Sequence, residues 1–229
     1  MFFFRDTADL DPDRASGSRV EVAFTDASLD LREAAGLPAA LEALRSATGV
    51  PFARMDQVHA ADVVDREGAA DGVPTADGQV SAARELGLMV RVADCVPVVL
   101  ADLASGVIGV AHAGRRGVQE DVVTRTVERM RLLGATELAA WVGPHICGRC
   151  YEVPATLREE VAARVPSTYA ETSWGTPALD LGAGVTAQLA ASGVAVTTVP
   201  GCTREEPRLH SYRRDGDAAG RFAGLVWLS

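Results

Sequence analysis

The chain has 229 residues, of which 48% are hydrophobic, and it carries a formal net charge of −9. This composition excludes a disordered chain, because there is enough apolar surface for a sizeable core. The acidic balance argues against nucleic-acid and membrane partners, which require a basic face, but allows a small anion bound by a few arginines. The chain shows neither a signal-peptide pattern nor an 18-residue apolar run, so we expect a cytoplasmic protein with reduced cysteines.

The first half of the chain alternates between apolar segments and turn-rich segments. The patterns predict, in order, a strand in VEVAFTDAS, a helix in LPAALEALRSATG, one or two strands in FARMDQVHAADVVDRE, a loop-rich region in GAADGVPTADGQVSAARE, and strands in VRVADCVPVVL and GVIGVAHA. Pro38 in the first turn and Gly49 at the end set the bounds of the helix. The last two strands are apolar and β-branched, and the turn ADLASG joins them.

The second half contains three amphipathic or small-residue helices and further strands. We predict a helix in QEDVVTRTVERMRLLGA, a buried strand in LAAWVGP, helices in PATLREEVAARVP and LGAGVTAQLAASG, a strand in VAVTTVPG, and a loop with a final strand in RLHSYRRDGDAAGRFAGLVWLS. The first of these helices has its apolar face at Val122, Val123, Val127, Met130 and Leu133. Because there is no regular βαβ order, linker or repeat, we expect one mixed α/β domain over residues 1–229.

Cys95 and His112 lie in the two strands that the turn ADLASG joins. A hairpin symmetric about that turn would place them directly opposite each other, with Cβ atoms about 4.5–5.5 Å apart. This spacing permits a shared metal or a direct Cys–His pair, and it is equally compatible with an ordinary buried cysteine and a packed histidine. His59, on another predicted strand, would complete a His₂Cys set with an open fourth position, which suits a catalytic zinc.

Two arginine-rich segments are candidate anion sites. In HAGRRG, Arg115 and Arg116 lie between glycines just before a predicted helix, where backbone amides and guanidinium groups can hold a phosphate or carboxylate. The alternative is an ordinary Gly-Arg loop. In SYRRDGDAAGR, Arg213, Arg214, Asp215 and Arg221 lie around turn glycines, and the segment either contributes a substrate-binding arginine or is a solvated loop with local ion pairs.

Cys147 and Cys150 form a CxxC pair after a predicted strand. A redox dithiol is one interpretation, and a structural zinc site would normally need a second cysteine pair. Zinc deaminases also carry such a pair, but their HxE partner is absent because Ala60 and Ala61 follow His59. We expect Cys147 and Cys150 to belong to a loop near the group formed by His59, Cys95 and His112.

Five segments in this order carry a family resemblance: QVH, ADCVPVVLAD, GVAHAGRRG, VGPHICGRCYEV and HSYRRDG with a following GR. From about Val20 to the C-terminus, the chain resembles the YfiH-like, laccase-domain proteins, also called multicopper polyphenol oxidase-like proteins or peptidoglycan editing factors. The resemblance implies a single-domain layered α/β sandwich of mixed sheets flanked by helices. It also implies one zinc bound by His59, Cys95 and His112.

The family resemblance further implies purine nucleoside chemistry. The expected reactions are phosphorolysis of adenosine, inosine and methylthioadenosine to the base and ribose 1-phosphate, and deamination of adenosine. Four histidines are too few for a multicopper oxidase, although copper could replace zinc in the single site. Arg115 stands where the family often has Trp, and Gly148-Arg149-Cys150 replaces a segment that often has a second proline and adjacent cysteines. Both departures affect the expected pocket.

The site residues expected on this basis have three roles. Asp94 would shuttle a proton beside the metal or, if it points away, orient a ligand. Arg54, Arg116 or Arg213 would hold phosphate, and Gln57 would help to bind the substrate. Two alternatives remain open: a cell-wall-precursor hydrolase with a Cys95–His112 thiol nucleophile, and a non-catalytic partner-binding protein with a structural zinc. The residues predict no oligomeric state.

Overall fold

The computed structural model describes residues 1–10, 18–68 and 71–229. Its strands are β1 Phe2–Asp9, β2 Arg19–Thr25, β3 Phe52–Ala53, β4 Val63–Asp65, β5 Gly78–Ser81, β6 Gly87–Val92, β7 Val96–Asp102, β8 Ile108–Ala113, β9 Leu138–Val142, β10 Tyr169–Glu171, β11 Pro177–Leu179, β12 Ala195–Thr198 and β13 Phe222–Leu228. Its helices are α1 Leu37–Thr48, α2 Arg115–Gln119, α3 Val122–Leu132, α4 Ala155–Arg164, α5 Leu181–Ala191 and α6 Tyr212–Asp215. No described helix is both long enough and apolar enough to span a bilayer.

Two mixed sheets pack face to face between layers of helices. One has the order β1-β2-β13-β6-β3 and the other the order β12-β9-β7-β8-β5-β4, while β10 and β11 form a small separate pair. Phe24 and Phe222 of the first sheet share a buried cluster with Ile108 and Trp141 of the second. Helix α1 covers the outer face of the first sheet, and α2 to α5 cover that of the second. This layered α/β sandwich of mixed sheets confirms the expected fold class.

Strand β7 shows why the central strands consist of continuous apolar runs. Val98 and Leu100 point into the core under the helices, whereas Val99 and Ala101 point into the core between the sheets. Successive strand residues face opposite sides, so a strand covered on both faces needs apolar residues at nearly every position. All seven residues of β7 are buried.

The helices and several strands are at the predicted places. Helix α1 has Pro38 in its first turn and ends at Gly49, which has φ of 82° and donates its amide to the Arg45 carbonyl. Four of the five apolar residues predicted for the face of α3 are buried, and Leu133 packs against them as a partly buried residue. The predicted strands in VEVAFTDAS, LAAWVGP and VAVTTVPG and the final strand are confirmed as β2, β9, β12 and β13.

Several segments differ from the predicted local structure. The segment Val90–Leu100 is not one strand, because β6 and β7 belong to different sheets and the chain turns between them at Asp94, where φ is 88°. The segment predicted as a loop from Gly68 to Glu85 contains β5, which lies within the second sheet, and its residues 69–70 lie outside the described residues. The N-terminal segment, for which we predicted no element, forms β1 and pairs with β2.

Candidate metal centre and its cavity

His59 lies in the loop between β3 and β4, which corrects the prediction of a strand at this position. Its backbone is left-handed, with φ of 60°. The buried carboxylate of Asp77 accepts hydrogen bonds from the amides of Val58, His59 and Ala60 at 2.7 to 3.1 Å. Three charge-assisted bonds to one carboxylate hold this loop in a conformation that non-glycine residues rarely adopt.

Cys95 precedes β7, and His112 lies near the end of β8. Pro97, not Cys95, is directly opposite His112, so the hairpin register differs by two residues from the symmetric one that we predicted. Side chains alternate with a period of two along a strand, and a two-residue shift therefore leaves Cys95 and His112 on the same face as diagonal neighbours. Cys95 and His112 therefore lie close together, as the sequence predicted.

The three side chains converge with the spacing of a metal site. The Cys95 Sγ atom is 3.7 Å from Nε2 of His59, and the donor atoms of His59, Cys95 and His112 all lie within 4.8 Å of one another. In a tetrahedral zinc site with normal bond lengths, a sulfur and a nitrogen ligand lie about 3.6 Å apart. A Cβ at Gly114 would lie 2.6 Å from Cδ2 of His59, so only glycine lets the backbone pass this close to the three residues.

Asp77 also orients the second histidine. Its Oδ1 atom is 2.7 Å from Nδ1 of His112, and both groups are buried. Donation of the Nδ1 proton to this carboxylate leaves Nε2 as the ring atom available to a metal, which is the arrangement normally found around metal-binding histidines. Burial alone would raise the pKa of Asp77, but the hydrogen bonds from His112 and the loop amides outweigh burial and lower it.

Cys95 and His112 form a strongly polarised pair. Burial would raise the pKa of the Cys95 thiol, but His112 and His59 lower it to about 6. Burial would lower the pKa of His112, but the Cys95 thiolate and Asp77 raise it to about 9. The site therefore favours a thiolate beside a positive charge. A divalent metal ion on one sulfur and two nitrogen donors satisfies the same preference, so the residues present fit such an ion.

A cavity of about 740 Å³ opens over these three residues. Its lining includes the apolar side chains of Ile146 and Leu181, together with Tyr151. Five arginines also line it, namely Arg32, Arg91, Arg115, Arg213 and Arg221. A cavity of this size, in which apolar side chains lie beside several convergent charged groups, has the character of a small-molecule site.

Arg115 and Arg213 are the cavity arginines best suited to bind an anion. Arg115 donates to Oε1 of Gln119, and Arg213 donates to the carbonyl of Glu152 and lies over the ring of Tyr151. Neither forms an ion pair with a carboxylate in the described part of the chain. Arg221 forms none there either, but its guanidinium donates to two backbone carbonyls, those of Ala219 and Gly220. The positive charge of Arg115 and Arg213 therefore remains available to a ligand.

Asp94 and Gln57 both line the cavity, but their polar atoms are already engaged. The Asp94 carboxylate accepts hydrogen bonds from the hydroxyls of Thr203 and Ser211 and from the amide of Arg213 at 2.6 to 2.7 Å. The Gln57 amide bonds to both the N–H and the carbonyl of Arg91. Both side chains therefore connect segments of the cavity wall.

Arg54 and Arg116 are outside the described lining of the cavity. Arg54 pairs with Glu33 at 2.6 Å. Arg116 pairs with Glu120, one turn later in α2, and 57% of its side chain is exposed. The structure thus places Arg115, not Arg116, at the cavity, because adjacent positions of a helix point in different directions.

Sequence reasoning missed several residues of the site. Asp77 lies in an Asp-Gly pair, which we interpreted as a turn signal, and nothing in its neighbourhood indicates a partner 35 positions away. Arg91 and Tyr151 were also missed, whereas Arg221 belongs to the arginine-rich segment SYRRDGDAAGR that we had identified. Arg91 interrupts the otherwise apolar and buried run of β6, a signal that could have identified it, whereas Tyr151 reaches the cavity only through loop geometry.

A family model described as multi-copper polyphenol oxidoreductase laccase matches residues 30–229. The chain belongs to this family. It is 53% identical over 180 residues to "Purine nucleoside phosphorylase ORF3" of Streptomyces griseus, a match that covers 76% of this chain and 73% of that protein.

The solved structures with similar folds agree with this assignment. Protein NMB0706 of Neisseria meningitidis is 27% identical and matches with a TM-score of 0.81, covering 98% of this chain and 99% of that one. The protein YfiH of Bacillus licheniformis has a TM-score of 0.79 at 19% identity, covering 92% and 93% of the two chains. The family match confirms the resemblance to the YfiH-like, laccase-domain proteins. The relative named a purine nucleoside phosphorylase implies a small-molecule substrate.

Proposed function

We propose that the protein is a zinc-dependent enzyme that cleaves purine nucleosides with phosphate. One observation carries the proposal: His59, Cys95 and His112 converge at a cavity that also presents Arg115 and Arg213. The relative from Streptomyces griseus that is named a purine nucleoside phosphorylase supports it. The proposed compartment is the cytoplasm, where thiols such as Cys95 stay reduced.

The proposed reaction is a nucleophilic substitution at C1′ of the ribose. A phosphate oxygen forms a bond to C1′ as the bond from C1′ to the purine nitrogen breaks. The base leaves with that electron pair and takes up a proton. The other product is ribose 1-phosphate from adenosine or inosine, and 5-methylthioribose 1-phosphate from methylthioadenosine. The proposed substrates are adenosine, inosine and methylthioadenosine, since all three share the ribose–purine bond.

The residues of the metal centre would prepare this step by fixing positions. A zinc ion, bound by His59, Cys95 and His112, would supply a Lewis acid with one position open to water or substrate. Asp77 holds both histidine-bearing segments, so it sets the distance between their ring nitrogens. Copper would fit the same imidazole and thiolate donors, and we propose zinc because a tetrahedral set with one thiolate suits it.

The arginines would hold the attacking phosphate. Arg115 and Arg213 can each offer guanidinium N–H groups to its oxygens, and such charge-assisted bonds are stronger than neutral ones. Asp94 would act as a positioning residue, because its carboxylate already binds the amide of Arg213 and two hydroxyls. We therefore propose this role for Asp94 in place of the proton transfer expected from the sequence.

Deamination of adenosine is a second proposed activity of the same site. His59, Cys95 and His112 would hold a zinc ion that supplies Lewis-acid chemistry, and water would be the co-substrate whose oxygen replaces the exocyclic amino group of adenine. The reaction would release ammonia and give inosine. It requires no phosphate, so the two activities can be separated by omitting phosphate from the assay.

Hydrolysis of a cell-wall precursor is the alternative function. It is favoured by one observation, the lowered pKa of Cys95 beside His112, which is the arrangement of a thiol nucleophile and its base. In that case the thiolate must be free of metal and must react with alkylating reagents in the active protein. Metal content and thiol reactivity of the purified enzyme therefore distinguish the two functions.

The first test is a product assay with defined metal content. Zinc-loaded protein would be incubated with each nucleoside, with and without phosphate, and the products separated by chromatography beside Cys95→Ser. Free base that appears only with phosphate and only with the parent protein would support phosphorolysis. A folded, zinc-loaded protein that releases neither base nor inosine would contradict the proposal and favour the cell-wall alternative.

A further inference from the structure

The tertiary structure assembles a second group of potential metal ligands. The donor atoms of Cys147, Cys150, Cys202 and Glu205 all lie within 4.8 Å of one another. The sequence pairs only the first two, because 52 positions separate Cys150 from Cys202. None of the four belongs to the His59, Cys95 and His112 group.

Two similar turns carry these four residues. In the first, the amides of Cys150 and Tyr151 both donate to the carbonyl of Cys147. In the second, the amides of Glu205 and Glu206 both donate to the carbonyl of Cys202. Each turn therefore presents two side chains, three positions apart, on one side. Zinc sites built from two such pairs use the same spacing.

Backbone contacts hold the two turns against each other. His145 pairs with Cys202 in a parallel bridge, through bonds from the His145 amide to the Gly201 carbonyl and from the Thr203 amide to the His145 carbonyl. The Cys147 amide also donates to Sγ of Cys202 at 3.5 Å. An N–H group directed at sulfur stabilises the thiolate, which is the form that binds metal.

The spacing of the donor atoms fits a tetrahedral ion. The Cys150 Sγ atom lies 3.4 Å from Oε1 of Glu205. In a zinc site with normal Zn–S and Zn–O bonds, these two atoms would lie about 3.5 Å apart. Cys150 is buried, Cys147 and Cys202 are half-buried, and Glu205 is exposed, so the group lies at the surface with three sulfurs on its inner side.

From this geometry we infer that Cys147, Cys150, Cys202 and Glu205 form a second, structural zinc site. Three thiolates select a soft or borderline ion, and a tetrahedral set of sulfurs with one oxygen matches zinc. Four protein donors leave no open position, so this site is closed, unlike the three-residue site in the cavity. The inference stands independently of the proposed reaction.

The position of the site indicates what it would stabilise. Ile146 and Tyr151 flank the first turn and line the cavity. Thr203, within the second turn, donates its hydroxyl to Asp94 at 2.6 Å, and Asp94 holds the amide of Arg213. A bound ion would join these two parts of the cavity wall through side chains, in addition to the backbone bridge at His145.

The test is a zinc count on folded, dialysed protein. We expect two zinc ions per chain in the parent, one in His59→Ala/His112→Ala, one in Cys150→Ser/Cys202→Ser and none when all four changes are combined. One zinc in the parent together with none in His59→Ala/His112→Ala would overturn the inference. So would a disulfide among the three cysteines, seen as two fewer reactive thiols than four in the denatured, unreduced protein.

A milder pair of variants covers the case in which the double cysteine variant does not fold. Glu205→Gln changes only the exposed ligand, and we expect it to lose one of the two zinc ions faster to a chelator than the parent does. Glu206→Gln is the matched control, because this neighbour pairs with Arg208 and is outside the cluster. Equal rates of zinc loss in the parent, Glu205→Gln and Glu206→Gln would contradict the assignment of Glu205 as a ligand.

Discussion

Asp77 and His112 are joined twice, through the side-chain contact of 2.7 Å and through a bond of 2.7 Å from the His112 amide to the Asp77 carbonyl. The same carboxylate caps the loop that carries His59. One buried anion therefore controls the position of two of the three proposed ligands. The geometry of the proposed metal centre therefore depends on Asp77, although Asp77 is not one of the proposed ligands.

We expect Asp77→Asn to weaken zinc binding by about 10- to 100-fold, the usual effect of losing a residue that orients a metal-binding histidine. The neutral amide keeps the size of the side chain but removes the charge that attracts the His112 proton and three backbone amides. Competition with a chelator of known affinity measures the change. Asp62→Asn, at an exposed aspartate near the same loop, is the control, and equal zinc affinity in the two variants would contradict the role.

Substitution of the adjacent residues Arg115 and Arg116 tests which of the two arginines binds phosphate. We expect Arg115→Ala to raise the KM for phosphate by about 10- to 100-fold, which corresponds to the loss of a charged hydrogen bond. Arg116→Ala should leave this KM unchanged, because its side chain is mostly exposed and pairs with Glu120. Initial rates at varied phosphate and saturating nucleoside provide the measurement. The reverse pattern would restore the assignment of Arg116 that we made from the sequence.

Removal of the metal should expose Cys95 to alkylation. In the metal-free protein, the thiol has a pKa of about 6, so the reactive thiolate dominates above pH 6 and declines below it. We expect iodoacetamide to modify Cys95 rapidly at pH 7.5 after chelation and slowly after zinc is restored. Mass spectrometry of the peptide that contains Cys95 measures this. Rapid modification of the zinc-loaded protein would show that zinc is not bound at Cys95.

The hydrogen bonds of the Asp102 carboxylate predict how the free energy of unfolding depends on pH. Its carboxylate is buried and accepts bonds from Ser105 and from the amides of Thr136 and Glu137. Burial raises its pKa, but these bonds outweigh burial and lower the pKa below its usual value. Stability from such a group is present above the unfolded pKa, about 3.9, and is lost as the pH falls through the folded pKa.

We therefore expect Asp102→Asn to lower the free energy of unfolding by about 2 kcal/mol at pH 7, with a difference that shrinks below about pH 4. Urea unfolding at pH 7 and at pH 3.5 measures both values. Asp62→Asn serves again as an exposed control. A deficit in Asp102→Asn that stays constant down to pH 3 would show that the lost stability comes from packing and not from the charge.

Local sequence patterns predicted most of the regular elements and the members of the metal group. The end of α1 at Gly49 follows from the conformational freedom of glycine, and the apolar face of α3 follows from the helical period. His59, Cys95 and His112 were identified from ligand chemistry, hairpin spacing and the order of the family segments. The hairpin register differs by two residues from the predicted one. This difference did not affect the prediction that Cys95 and His112 lie close together, because a shift of two keeps both side chains on the same face of the sheet.

Other features depend on contacts between segments that are distant in the chain. Strand β5 reads as a loop because Asp77-Gly78 resembles a turn, and it becomes a strand only because β4 and β8 offer hydrogen-bonding partners on both sides. Arg115 and Arg116 have the same local chemistry, and the packing of α2 alone decides which of them reaches the cavity. Local patterns carry no information on such choices.

Periodicity along the chain is a local property, so the sequence was enough to predict a mixed α/β domain with central apolar strands. The layered sandwich and the three donors at the cavity followed from the resemblance to the family. The packing of distant segments was needed to show that Asp77 contacts two proposed ligands, that Asp94 accepts from three donors, and that Cys202 and Glu205 lie beside Cys147 and Cys150. The reason is that these groupings result from how the sheets and their connecting loops pack. Where these sheets and loops pack together, residues far apart in the chain come within bonding distance of one another.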